Sequence, residues 1–334
     1  HSIADGQATV MMGLSLFEFA PEGNPDEPLP PEPPIAKDAD AADVFMANTT
    51  DNLGKLRDAA EEGARALFGL AKGTMEDPVG TWRTAFSSLA SLGRVASMPE
   101  DALSPIMRGR GTTYTFGTFT LPFAGLRAAA KDKGMNVNDA FMAAVGLGMA
   151  EYHAAHGSVA EYLRVNVPIS LRGDAGDRSA KESNSVSIAR FPLPIAGLTS
   201  DELMHSAHEL VAQWKAEPAI GMADPLAEVS WLVPMPMLTS AARASDLTTS
   251  NVPGPPIPLY LAGVKMLLAF PLVATIGAAV NITMVTYDGT ACLGVSTDDR
   301  AVGDPEVLLD CLRSGFAAVT GAPVAPGDRY TVDS

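Results

Sequence analysis

Residues 278–299, AAVNITMVTYDGTACLGVSTDD, contain two strand-like runs joined at Asp288-Gly289. An Asp-Gly pair is the preferred chemistry of a two-residue type I′ hairpin, in which both central residues take positive φ. Two antiparallel strands must therefore lie side by side near the C-terminus, and the rest of the fold has to supply a sheet around them. Earlier segments offer the partners. TTYTFGTFTLP, ending at Pro122, then YLRVNVPISL and SNSVSIARFPLP are rich in β-branched and aromatic residues and read as strands. NVPGPPIPLYLAG reads as a rigid loop leading to a short strand. Helical patterns alternate with these runs. Residues 123–133 stop at Gly134, and VNDAFMAAVGLGMAEYHAAHG reads as a capped, largely buried helix closing at Gly157. Residues 199–215 start at a Thr199 or Ser200 cap, and 305–320 form a closing helix. Strands and helices interspersed in this way predict an α/β sandwich with a mixed sheet.

The first 110 residues have a different texture. Residues 7–19 carry Val10, Leu14 and Phe17 at helical spacing. PEGNPDEPLPPEPP follows, and its prolines favour an extended linker or crossing segment. Two helical regions are then expected, about 41–72 and 79–96, the second placing Val79, Trp82, Phe86 and Leu89 on one face. Residues 259–287 are almost uncharged apart from Lys265, but Pro271, Gly277 and Asn281 interrupt them. Buried strands around a short helix are expected there, because a membrane-spanning helix needs about 20 consecutive apolar residues.

Charge narrows the partners. The 23 basic residues against 39 acidic ones leave a formal charge of −16. This excludes the dense basic footprint of a nucleic-acid-binding protein. It also excludes polybasic docking, so any contact with membranes or lipid inclusions is expected to be peripheral and apolar. Cys292 and Cys311 are too few for a disulfide framework and read as buried thiols in a reducing, cytoplasmic compartment. His153 with His156 and His205 with His208 pair at three-residue spacing. No third ligand or HExxH pattern accompanies them, so they are expected to be surface or capping residues and no metal is expected. Nucleophile-elbow, P-loop and Rossmann fingerprints do not occur. The chain opens without Met and without a secretory signal, and is expected to be cut from a longer protein.

The residues with most chemical promise are His1, Asp5 and Gly6 in HSIADG. Four segments follow them in order: NDAFMA (138–143), VPISLR (167–172), SNVPGPPIPLYLAG (250–263) and NITMVTYDG (281–289). Together these resemble the wax ester synthase/diacylglycerol acyltransferase family over nearly the whole chain, most weakly across 20–110. HSIADG resembles the HHxxxDG signature from its second His onward, and NVPGPPIPLYLAG resembles the family's C-terminal block more than it does a peptide-synthetase condensation domain. SPIMRGRGTTYTF follows the family only loosely, with Arg108 and Arg110 either meeting coenzyme A phosphates or bordering a strand.

The resemblance implies a chloramphenicol acetyltransferase-like fold of two α/β halves, with most of the N-terminal half absent from this chain. Residues 1–20 would then be a remnant of that half carrying the motif. Residues 21–110 would be a Pro-rich linker and connecting helices, 111–325 the C-terminal acyltransferase half, and 326–334 a tail. It further implies an O-acyltransferase taking a long-chain acyl group from acyl-CoA to diacylglycerol or a fatty alcohol. His1 would act as general base without an acyl-enzyme, and no cofactor beyond the acyl-CoA co-substrate is implied. Asp5 and Gly6 would shape the turn. Asn138 and Asp139 would cap a helix, with Asn138 directed to the channel. Ser250 and Asn251 would support a rigid loop or donate to a developing oxyanion. The alternative is a catalytically incomplete fragment or lipid-binding module of the same fold.

Overall fold

A computed structural model describes residues 13–14, 16–23, 46, 50, 54, 57, 61, 101–170, 186–216, 240, 242–325 and 329–332. The chain divides into two compact units. One comprises His1–Asn24, Pro99–Lys215 and Thr239–Ser334, the other Pro25–Met98 and Ala216–Leu238. In the second, Met46, Thr50, Gly54, Arg57 and Glu61 are described and all are helical, within the helix expected over 41–72. Thr50 Oγ1 donates to the Met46 carbonyl, and Arg57 pairs with Glu61 at 3.0 Å, both one turn apart as helix geometry requires. Residues 24–34 of the Pro-rich segment and the helix expected over 79–96 lie outside the described residues.

The first unit is built on strands β1 (Tyr114–Pro122), β2 (Tyr162–Ser170), β3 (Val186–Pro194), β4 (Leu247–Val252), β5 (Tyr260–Leu261), β6 (Val264–Lys265), β7 (Val280–Tyr287), β8 (Thr290–Asp298) and β9 (Arg329–Val332). Seven of them form one sheet in the order β3-β2-β4-β7-β8-β1-β9, while β5 and β6 pair separately. The β2-β4 and β4-β7 pairs are parallel and the others antiparallel. The sheet is therefore mixed, as its sequence pattern predicts. The β7-β8 hairpin also follows expectation: Asp288 and Gly289 have φ of 42° and 78°, the type I′ signature.

Helices α1 (Phe123–Asp132), α2 (Val137–Ala155), α3 (Ser200–Lys215) and α4 (Pro305–Thr320) complete the unit. Leu163, Val165 and Val167 of β2 are buried in one cluster with Val280, Ile282 and Met284 of β7, Leu293 and Val295 of β8, and Phe119 of β1. All are alternate residues, so one face of the sheet is aliphatic. Phe141 of α2 and Phe316 of α4 lie in the same cluster, and Phe316 meets Phe119 edge-on at 5.5 Å. Both cysteines are buried and free.

Three local expectations need correction. The helix expected over 7–19 does not reach its end: from Leu16 the chain turns, and Glu18 exchanges backbone hydrogen bonds with Tyr260. The cap of α2 is Asn136. Its side chain accepts from the Asp139 amide, and Asp139 Oδ2 accepts from the Asn136 amide, a reciprocal capping box. Residues 259–287 contain β5, β6 and β7 but no helix, and Leu267, Leu272 and Ile276 are exposed instead of buried. Pro271 and positive φ at Ile276 and Gly277 prevent the intervening stretch from joining either regular structure. It crosses the sheet closely: a Cβ on Gly294 of β8 would lie 2.0 Å from the Pro271 carbonyl oxygen.

Candidate functional site

The sheet face opposite the aliphatic one is polar. Register places Arg190 of β3, Asn166 of β2, Thr248 of β4, Asn281 of β7 and Ser296 of β8 in one cross-strand row. Residues so paired project to the same side. Asn166 Oδ1 accepts from Arg190 Nε and from Ser245 Oγ, each at 3.1 Å. Thr283 Oγ1 donates to Asn281 Oδ1 at 2.7 Å, and Asn281 Nδ2 donates to the Ala274 carbonyl of the crossing segment. Asn281, beneath that segment, and Ser296 are buried, whereas Arg190, Asn166 and Thr248 remain partly exposed. The row is thus roofed at its β7-β8 end and open toward β3.

Ser250 lies on this same face, level with Thr283 and Gly294. Asn251 is level with Met284 of the aliphatic core, so strand alternation sends the two expected partners to opposite sides. Neither side chain has a hydrogen bond among the described residues. Asn138 is not the cap of α2. It lies on the first turn, with Nδ2 3.6 Å from Met142 Sδ. Asp139 is fully buried and also takes a hydrogen bond from His208 Nδ1 at 2.9 Å, so its partners Asn136 and His208 hold α2 in place. His1, Asp5 and Gly6 lie outside the described residues.

Basic residues near 110 have a structural assignment. Arg110 donates through Nε to the Gly277 carbonyl, through Nη1 to those of Met107 and Gly109, and through Nη2 to that of Ser245, all within 2.6–2.8 Å. Burial lowers its pKa, and the charges of Asp246 and Asp298 oppose that shift. With its donors spent on carbonyls, Arg110 joins loops and does not reach out to phosphates, while Arg108 is exposed.

One of the four paired histidines departs from the surface reading. His156 and His205 are partly or fully exposed, but His153 is buried at the end of α2. Its Nδ1 lies 2.7 Å from the Met149 carbonyl, which can only accept, so Nδ1 carries the proton. Nε2 then accepts from Ser104 Oγ at 2.9 Å. Ser104 is itself fully buried, which makes this pair a fastening of loop 101–107 onto α2 and not a nucleophile and base.

Burial holds the His153 pKa below its ordinary value, against the opposing pull of the Met149 carbonyl and Asp246. The unfolded chain takes up this proton near about pH 6.5 and the folded chain only below that. Stability is therefore full above about pH 6.5 and falls as pH drops toward the lowered folded value. At His156 the Tyr152 carbonyl, and then Asp304, raise the pKa. Its contribution has the opposite sign, present below about pH 6.5 and lost as pH rises through the raised value, and exposure keeps it small. Urea midpoints measured across this range are expected to fall on the acid side, and His153→Gln to flatten that fall. A wild-type midpoint that ignores pH would contradict the assignment.

Among the described residues, no group of three or more His, Cys, Asp and Glu could hold a metal ion, and no helix is long and apolar enough to cross a membrane. Comparison with known proteins gives this frame its relatives. Residues 182–320 match the WS/DGAT C-terminal domain. A putative diacylglycerol O-acyltransferase of Mycobacterium tuberculosis (strain CDC 1551 / Oshkosh) is 27% identical over 336 residues, covering 98% of this chain. Another, from Mycobacterium bovis, is 28% identical over 300 residues, covering 81% of this chain and 57% of the relative. The chain spans 66% of the length of the M. tuberculosis relative. The wax ester synthase/diacylglycerol acyltransferase of Marinobacter aquaeolei VT8 shares the fold, with a TM-score of 0.51 and 21% identity over 72% of this chain and 57% of that one. In its C-terminal domain, in an alignment along 98% of its length and in its mixed-sheet fold, the chain is similar to the wax ester synthase/diacylglycerol acyltransferase family.

Proposed function

We propose that this protein is an O-acyltransferase that moves a long-chain acyl group from acyl-CoA to the hydroxyl of diacylglycerol or a fatty alcohol. The observation that carries the reading is the family match over residues 182–320, together with relatives named as diacylglycerol O-acyltransferases. In this reading His1 takes the proton from the acceptor hydroxyl as its oxygen attacks the thioester carbonyl carbon. The tetrahedral adduct then collapses, the carbon–sulfur bond breaks, and the coenzyme A thiolate receives the proton from the imidazolium. An imidazole suits both transfers because its unperturbed pKa lies near neutrality. Asp5 and Gly6 shape the turn that presents His1. Ser250 is the better placed of the pair on β4 to meet a polar substrate group, since it shares the face of Asn166 and Thr248. Residues 111–325 serve as the C-terminal acyltransferase half, and contact with lipid is peripheral.

Incubation with radiolabelled palmitoyl-CoA and either hexadecanol or diacylglycerol tests this. Ester is expected, and His1→Ala is expected to reduce its rate by roughly 10²–10⁴-fold, the usual contribution of a general base. Ester from neither acceptor, or an undiminished rate in His1→Ala, would overturn the proposal.

A further inference from the structure

Three arginines of the first unit are pulled down in pKa by burial, and their surroundings differ. Arg110 is saturated by four carbonyls in the field of Asp246 and Asp298. Arg164 donates to the carbonyls of Asp101 and Ala244, and Asp246 and Asp101 offset its charge. Arg190 makes one hydrogen bond, from Nε to Asn166 Oδ1. Among the described residues the charge that acts on it is that of Arg164, which lowers its pKa further. Among the described residues no carboxylate is paired with Arg190, in a chain with 39 acidic residues against 23 basic. Withdrawing a cation from water without a counter-charge is unfavourable, and a second guanidinium nearby adds repulsion.

The geometry around Arg190 is organised to present it. Arg190 is level with Asn166, and Arg164 lies two residues along the same strand as Asn166, so the two guanidinium-bearing residues are diagonal neighbours on the polar face. Asn166 is itself fixed, accepting from Ser245 Oγ and directing Nδ2 toward Thr248 Oγ1 at 3.5 Å. Its carbonyl oxygen therefore faces Arg190 and anchors Nε. The two terminal nitrogens of the guanidinium have no partner among the described residues. This is the open end of the row, away from the crossing segment. A planar fork with free N–H groups matches paired oxygens of a phosphate.

We propose that Arg190, held by Asn166 at the β3-β2 end of the polar sheet face, binds a phosphate of the coenzyme A portion of the acyl donor. This rests on the reading of acyl-CoA as donor. Arg164 adds its field, and the bound anion supplies the counter-charge that no described residue provides.

Calorimetric titration of the full chain with coenzyme A, inorganic pyrophosphate and vesicles of phosphatidate in phosphatidylcholine tests the proposal. Arg190→Gln is expected to weaken coenzyme A binding by roughly ten- to a hundredfold, the worth of hydrogen bonds to a charged group. Arg190→Lys should lose less, and Arg127→Gln, at an exposed position of α1, nothing. In phosphate-free buffer the thermal midpoint of Arg190→Gln should equal or exceed that of the wild type, which separates loss of the site from misfolding. Equal coenzyme A binding by wild type and Arg190→Gln overturns the proposal, and leaves the acyl-transfer reading to the ester assay. Arg190-dependent binding of pyrophosphate or phosphatidate without binding of coenzyme A overturns the assignment to the donor. Ester formation with an unchanged KM for palmitoyl-CoA in Arg190→Gln also overturns it, with the acyltransferase intact.

Discussion

Gly315→Ala is expected to destabilise the protein by about 2 kcal/mol or more, although alanine is the better helix former. Gly315 of α4 faces α2 where the two backbones touch. A Cβ there would lie 2.2 Å from the Ala144 carbonyl oxygen and 2.7 Å from the Gly148 nitrogen, both rigid helix backbone. Gly148 stands opposite, and a Cβ on it would fall 2.7 Å from Leu312 Cα. The added methyl group can only be accommodated by moving the helices apart, which loosens packing around Phe141 and Phe316. Propensity favours alanine by about 1 kcal/mol, so overlap decides the sign. Gly125 of α1 provides the contrast. A Cβ there meets Thr320 Cβ at 3.6 Å, an ordinary contact, and Gly125→Ala should stabilise by about 1 kcal/mol. Urea denaturation of both variants measures the difference. Stabilisation by Gly315→Ala would show that the α2-α4 contact is looser than described.

Asp246→Ala should cost about 3–5 kcal/mol, the penalty for stripping a buried charge from its partners. Asp246 is fully buried, just before β4. Its Oδ2 accepts from the amides of Leu103 and Arg164 at 3.0 and 2.7 Å, and its Oδ1 from the Ser104 amide at 2.9 Å. Its own carbonyl accepts from the amides of Ala279 and Val280. One residue thus ties loop 101–104, β2 and the start of β7 together. Alanine leaves three amides without acceptors and removes a charge that offsets Arg110 and Arg164. Asp246→Asn keeps the shape but turns N–H groups toward donors, and should still cost about 2 kcal/mol. Equilibrium unfolding with far-ultraviolet dichroism reads both. A loss in Asp246→Ala no greater than at an exposed aspartate would mean that water satisfies these amides.

These two positions also mark how far sequence reading reaches. Asp288-Gly289 announces its turn because positive φ at two adjacent positions is a local demand that few residue pairs meet. Pro305 and Gly321 bound α4 for similarly local reasons, proline at the first turn and glycine in the left-handed cap. Asp246 gave no comparable signal, since its three donors come from residues 82 to 143 positions away. His153 was misjudged because a histidine in the last turn of a helix is favoured by the dipole whether buried or not. Only the packing of loop 101–107 against it decides that it is inside.

Sequence by itself determined the resemblance to a family, the α/β class, the hairpin, and the spans of most strands and helices in the first unit. Each of those follows from rules acting over a few residues or from the order of motifs along the chain. Tertiary structure alone decided which side chains share the polar face. Arg190 and Asn166 are 24 residues apart, and Asn166 and Ser245 are 79 apart. Their meeting depends on β2 lying between β3 and β4, and strand order is set by how the whole sheet buries its aliphatic face. That no carboxylate among the described residues pairs with Arg190 belongs to the same class of fact, because partners across strands cannot be read from local sequence.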